Sequence, residues 1–244
     1  WPYYRIKNMS APVQYYWPSS ISGRGSIAAD QNIQAGQFLI LNSTVPSLPQ
    51  GPYIFDKLVR SVAFYSAQNV SNARFKITGI GSPIDGNGPT QALDLITEIV
   101  AGPNNTTVFS ANIYSQIISI EATVGMPNAT FVNVGPGNFG ITDYFFFDYN
   151  RIIGQVGLQF QFFDQVSLEA SVFQSLTKPE IPSLEGNLIK QNIPAIAWGN
   201  PLENVTGDIA VNNLFVTSVL WATITQDTAD DDSLIFTIIQ QGIR

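Results

Sequence analysis

The chain has 244 residues, of which 45% are apolar and only 12% charged, about half the roughly 25% usual for a soluble domain. With a net charge of −7 and a pI near 4.4 it repels the phosphate backbone of nucleic acid and an anionic membrane surface alike. Histidine and cysteine are both absent, which removes disulfides, the commonest general base and the commonest metal ligands together.

Residues 1–22 are predicted to form an extended arm. Pro2, Pro12 and Pro18 each push the residue before them toward extended backbone, and four tyrosines and two tryptophans are spread without helical or strand period. A segment this aromatic is too apolar for a solvated tail, so it packs on a surface, its own domain or a neighbouring subunit. Residues 23–244 read as a single β-domain. After the break at Gly23-Arg24-Gly25, the run 37–42 is a strand, and a loop over 46–52 leads to a short strand near 53–55.

The clearest pattern lies in residues 59–120, read as successive strands of a meander with their turns written between them. Ala73-Arg74-Phe75-Lys76-Ile77-Thr78-Gly79 alternates strictly, a loop rich in Gly, Pro, Asp and Asn follows, and 93–100 resumes the strand pattern before the breaker Gly102-Pro103-Asn104-Asn105. The strand over 129–134 ends in Gly135-Pro136-Gly137-Asn138-Phe139-Gly140. That run matches G-x-G-x-x-G, but strand-like residues follow where a dinucleotide site needs a helix, so it is predicted to be a turn. Further strands are predicted over 144–149, 156–163 and 166–176. A Pro-rich loop is expected at about 177–206, and a terminal hairpin over 213–241 around Asp227-Thr228-Ala229-Asp230-Asp231-Asp232. The fold class is all-β: an antiparallel β-sandwich, jelly-roll-like, with an extended N-terminal arm.

Chemistry has few carriers. The aspartates at 227–232 lack the glycine and closing glutamate of a Ca²⁺ loop and read as a solvated tip. Asp94 with Glu98, or Asp143 with Asp148, could flank a sugar, with Trp198 and Trp221 as platforms, but linear spacing does not set a carboxylate separation. The sequons at Asn8, Asn42, Asn69, Asn104, Asn105, Asn128 and Asn204 keep an extracellular-filament reading alive. No catalytic, cofactor or metal residues are therefore expected. The residues expected at an interface are Trp1, Tyr3, Tyr4, Tyr15, Tyr16, Trp17, Pro182, Pro194 and Trp198, because aromatics give large contact area at low entropy cost and prolines pre-order the segments that dock.

The order of several short motifs is similar to a module of tailed-bacteriophage virion proteins. Phe75-Lys76-Ile77-Thr78-Gly79-Ile80 precedes a Gly/Asp loop, then Glu98-Ile99-Val100-Ala101-Gly102-Pro103-Asn104 supplies an E-x-x-x-G-P-N turn, and Ser119-Ile120 closes a strand. Val132-Asn133-Val134-Gly135 and Ile238-Ile239-Gln240-Gln241-Gly242-Ile243 continue the likeness, which covers roughly residues 26–150 and 205–244. The arm and the Pro-rich stretch fall outside it. The resemblance implies a non-enzymatic virion structural protein on the capsid exterior. Such a decoration or cement protein would bind the major capsid protein or other virion proteins and self-associate, as a trimer for preference. Tail or head-fibre attachment, or an extracellular filament or surface-layer subunit built by strand addition, is the alternative.

Overall fold

A computed structural model of the chain describes the backbone of residues 13–17, 23–44, 51–55, 58–85, 88–142, 145–146, 152–163, 168–175, 187–194, 205–211, 219–226 and 233–243. Side chains are described within 23–44, 51–55, 58–84 and 89–142. The fold is all-β and antiparallel throughout, with no helix among the described residues. Among the described residues seventeen strands make a thirteen-stranded sheet that curls on itself and a separate four-stranded sheet.

The larger sheet is organised around β4 (Leu58–Asn69) and β5 (Arg74–Asp85). They are consecutive but do not pair. One edge of β4 takes β10 (Val132–Thr142) and the other β8 (Asn104–Phe109), whereas β5 lies between β7 (Asp94–Ala101) and β9 (Asn112–Val124). Phe64 of β4 and Phe75 of β5, both fully buried, stack with ring centroids 5.1 Å apart, so the two strands face each other across the core. Residues 59–120 are thus divided between two facing layers and do not run on as the meander of successive strands expected from the sequence.

The chain crosses between layers by arches. Val70 N–H donates to the Pro103 carbonyl and Gly102 N–H to the Ala73 carbonyl, which seats the β7–β8 crossing on the β4–β5 crossing. A Cβ on Gly102 would stand 2.1 Å from the Val70 carbonyl oxygen, so only glycine fits there. At the other end the layers close into one sheet through the single pair Arg60↔Tyr114 between β4 and β9. The pleat puts Phe75 and Ile77 of β5 with Ile117, Ile120 and Ala122 of β9 inside, against Val62 and Phe64 of β4 and Val132 and Val134 of β10.

Shorter strands extend this frame: β2 (Ala28–Gln31) on β10, β3 (Tyr53–Ile54) on β9, β6 (Gly88–Pro89) on β5. Beyond β10 come β16 (Val219–Gln226), β13 (Leu168–Ser175) and the edge strand β14 (Asn187–Pro194), with β11 (Phe145–Phe146) also on β16. The four-stranded sheet runs β1 (Val13–Trp17), β17 (Ser233–Ile243), β12 (Ile152–Phe163), β15 (Val205–Val211).

Further expectations change, and the strand expected over 37–42 is reduced to the bridge Phe38↔Glu121. Gly135 to Gly140 is no turn but lies inside β10, where the register against β4 slips between Pro136↔Val62 and Gly140↔Arg60. The surplus residues form a bulge that accommodates the buried Arg60. The expected terminal hairpin does not form, because β16 belongs to the large sheet and β17 to the small one. Within 177–206, expected as a loop, Asn187 to Pro194 is strand. Pro194 closes an edge strand, one of the few places where a sheet admits proline.

Candidate functional site: a polar staple and an apolar outer face

Among the residues expected at an interface, Tyr15, Tyr16 and Trp17 lie on β1, in register with Phe236, Ile235 and Leu234 of β17. That part of the arm is an edge strand of the chain's own small sheet. Pro194 pairs with Glu169 at the end of β14. Trp1, Tyr3, Tyr4, Pro182 and Trp198 lie outside the described residues, as do Asp143, Asp148 and the aspartates of 227–232. Of the described interface candidates, Tyr15, Tyr16 and Trp17 share β1 of the small sheet, whereas Pro194 lies on β14 of the large one.

The described polar side chains are absorbed by the fold. Glu98 points inward from β7, and its carboxylate accepts from Ala111 N–H at 2.6 Å, Asn112 N–H at 3.2 Å and the Tyr114 hydroxyl at 3.1 Å. It staples the β8–β9 turn to β7. Burial, and then the Glu98 charge, push the Tyr114 hydroxyl well above its ordinary pKa of 10.0. The Tyr114 ring lies over Gly79 and Gly81 of β5. A Cβ on either glycine would meet Tyr114 Cδ1 at 2.8 or 2.9 Å and a β9 carbonyl oxygen at 2.4 or 2.2 Å. The E-x-x-x-G-P-N run and the run Phe75-Lys76-Ile77-Thr78-Gly79-Ile80 picked out in the sequence are therefore parts of one joint: Glu98 and Gly102 fix the crossings, and Gly79, with Gly81 beyond it, makes room for the ring.

The G-x-G-x-x-G run is likewise structural. Arg60, fully buried, donates from Nε to the Gly137 carbonyl at 2.7 Å, and Phe139 N–H donates to Ser61 Oγ at 3.1 Å. A Cβ on Gly137 would sit 2.2 Å from Ser61 Oγ, and one on Gly135 would sit 2.3 Å from the Gly23 carbonyl oxygen. The other described carboxylates are occupied too. Asp30 accepts from Asn133 Nδ2 at 2.9 Å, Asp94 from the Leu95 N–H at 2.7 Å, and Glu121 lies 3.7 Å from Lys76 Nζ. Asp94 and Glu98, one of the pairs considered for a sugar site, serve separate local bonds. Arg24 stacks on Tyr65, its guanidinium carbon 3.7 Å from the ring centroid. At the sequon Asn42, Nδ2 already donates to the Gly25 and Ser26 carbonyls at 2.9 and 3.2 Å, and an attached glycan would take one of those hydrogens.

What remains is an apolar surface on the outer face of the β7-β5-β9 layer. Paired residues share a face, and the pairs Leu95↔Ile80 and Ile99↔Lys76 put the β7 side chains on the outside of β5. On β9, Gln116, Ser119, Glu121 and Val124 oppose Ile80, Thr78, Lys76 and Arg74. Ile54 of β3 stands opposite Gln116, and Phe38 bridges to Glu121. Leu95, Ile99, Ile118 and Val124 are all exposed here, and Ile54 and Phe38 border them. None was singled out from sequence. The available signal was that Leu93, Leu95, Ile96, Ile99 and Val100 are apolar at both phases of the alternation, the mark of a strand covered on both faces.

No family model matches the chain, and no curated protein matches it by sequence. Among solved structures, one likeness is to a protein of Parabacteroides distasonis described as secreted, at 7% identity, covering 95% of this chain and 100% of that one, with a TM-score of 0.22. Another is to the VP2 subviral particle of infectious bursal disease virus, at 12% identity, covering 95% and 72%, with a TM-score of 0.20. Likenesses this slight carry no argument about fold or role.

Proposed function

We propose that the chain is a non-enzymatic structural protein of a virion, on the capsid exterior, that works by contact with neighbouring subunits. The observation that carries this reading is the division of the surface. The described carboxylates are spent on turns, caps and one ion pair, while large apolar side chains stand exposed together on the outer face of the β7-β5-β9 layer. A surface of that kind binds by area and shape. The order of motifs similar to tailed-bacteriophage virion proteins supports the choice of assembly. The decoration or cement role on the major capsid protein is part of the same proposal, as is the part played by the aromatic arm.

The test is co-sedimentation of the full chain with assembled shells of the major capsid protein from the particle it purifies with. A variant lacking residues 1–12 retains β1 and with it the β1–β17 pairing. The full chain is expected to sediment with the shells, and the variant to keep its circular dichroism spectrum while losing most of the bound fraction. A full chain that stays in the supernatant sinks the capsid role, and a variant that binds like the full chain sinks the role of the arm.

A strand-addition filament is a second reading, favoured by one observation. Among the described residues β7, 8 residues long, pairs with β5 alone, and no described strand takes its other backbone edge.

A further inference from the structure

We infer that the outer face of the β7-β5-β9 layer is a self-association surface that takes a second copy of this chain, face to face about a two-fold axis. Leu95, Ile99, Ile118 and Val124 on this face, with Ile54 and Phe38 at its border, are between 41% (Ile54) and 61% (Ile99) exposed. The strands belonging to it form four columns at about 4.8 Å, and the 8 residues of β7 run about 3.3 Å each. The face therefore measures roughly 19 by 26 Å, or about 500 Å² in projection. That lies below the ~800 Å² each partner gives to a standard interface and in the range of smaller, weaker ones. The largest patch on an ordinary monomer is about 300–600 Å².

Charge selects the occupant. The chain carries −7 overall, so two copies repel unless they meet where that charge is least felt. On this face the carboxylate Glu121 is paired with Lys76, Arg74 adds a positive charge, and Glu98 is turned inward to the β8–β9 turn. The charges of this face are the Lys76–Glu121 pair and Arg74, whose guanidinium donates to the Ser71 and Ala73 carbonyls, so two such faces meet with little of the chain's negative charge between them. Under a two-fold rotation Lys76 of one copy approaches Glu121 of the other, and the apolar rows cover each other. The aligned packing of two such sheets, about 10 Å apart, is the geometry of a sandwich interior repeated between molecules.

This inference rests on the self-association included in the proposed function and names the surface responsible. It expects a two-fold pair in place of the trimer expected from sequence. The test is the mass of the full chain by sedimentation equilibrium over a wide concentration range, alongside three variants. Leu95→Lys with Ile99→Lys places charge on β7, and Ile118→Lys does so on β9. The third is Lys76→Glu, made with and without Glu121→Lys. The wild type is expected to be a dimer, and both lysine variants to dissociate about tenfold or more at unchanged melting temperature. Lys76→Glu should weaken association, and the added Glu121→Lys should restore it.

A wild type that is monomeric overturns the surface and the self-association together. A wild type that associates equally well in both lysine variants overturns the surface alone and leaves the proposed function standing. Loss of association on β7 with none on β9 overturns face packing in favour of edge pairing along β7. A trimer overturns the two-fold arrangement.

Discussion

A tyrosine whose hydroxyl lies against a carboxylate in a dry setting resists ionisation, and Tyr114 is so placed by Glu98 and by the strands around it. Its folded pKa is raised above the ordinary 10.0, so the folded chain holds that proton more tightly than the unfolded chain does. The resulting stabilisation is complete below about pH 10 and is lost as pH climbs from there toward the folded value. Tyr114→Phe is expected to lower stability at neutral pH by about 1–2 kcal/mol, through the lost hydrogen bond to a charged acceptor. It is also expected to flatten the alkaline fall. Urea midpoints measured at neutral pH and at steps above pH 10 check both parts, and parallel alkaline limbs for the two proteins would show that Tyr114 is not the titrating group. None of this was legible in the sequence. Glu98 looks there like one member of a carboxylate pair with Asp94, because nothing local reveals that a turn 13 residues on supplies its partners.

At the scale of elements, the placing of strands was legible and their pairing was not. The strict alternation over 73–79 and the breaker at Gly102-Pro103 mark the start of β5 and the β7–β8 crossing well. A hairpin turn and an arch, however, draw on the same residue types. Whether Val70 to Ala73 sends the chain back alongside β4 or across to the other layer is decided by contacts with Gly102 and Pro103 some 30 residues away. The same blindness turned the β10 bulge into a predicted turn and the β16–β17 connection into a hairpin. The arch makes a measurable claim, since it sets Phe64 against Phe75 with an interplanar angle of 18°. In a double-mutant cycle of Phe64→Leu and Phe75→Leu, the two rings are expected to couple by about 0.5–1.5 kcal/mol. Strictly additive losses in urea unfolding would mean the layers do not meet there.

Across the whole molecule, the small sheet joins opposite ends of the sequence. β1 pairs with β17 from Val13↔Ile238 to Trp17↔Leu234, and β17 in turn pairs with β12 along most of its length. The two facing layers of residues 58–142, by contrast, pair almost wholly among themselves. Order of assembly follows from this difference in span. Loop closure must be met before a distant pairing gives anything back, so near-neighbour layers form early and the terminal sheet forms last. On a ribosome the strand Val13–Trp17 emerges long before its partner exists. Through most of synthesis it is an unpaired aromatic strand, and the stage most exposed to wrong pairings is the one just before Ser233–Ile243 arrives.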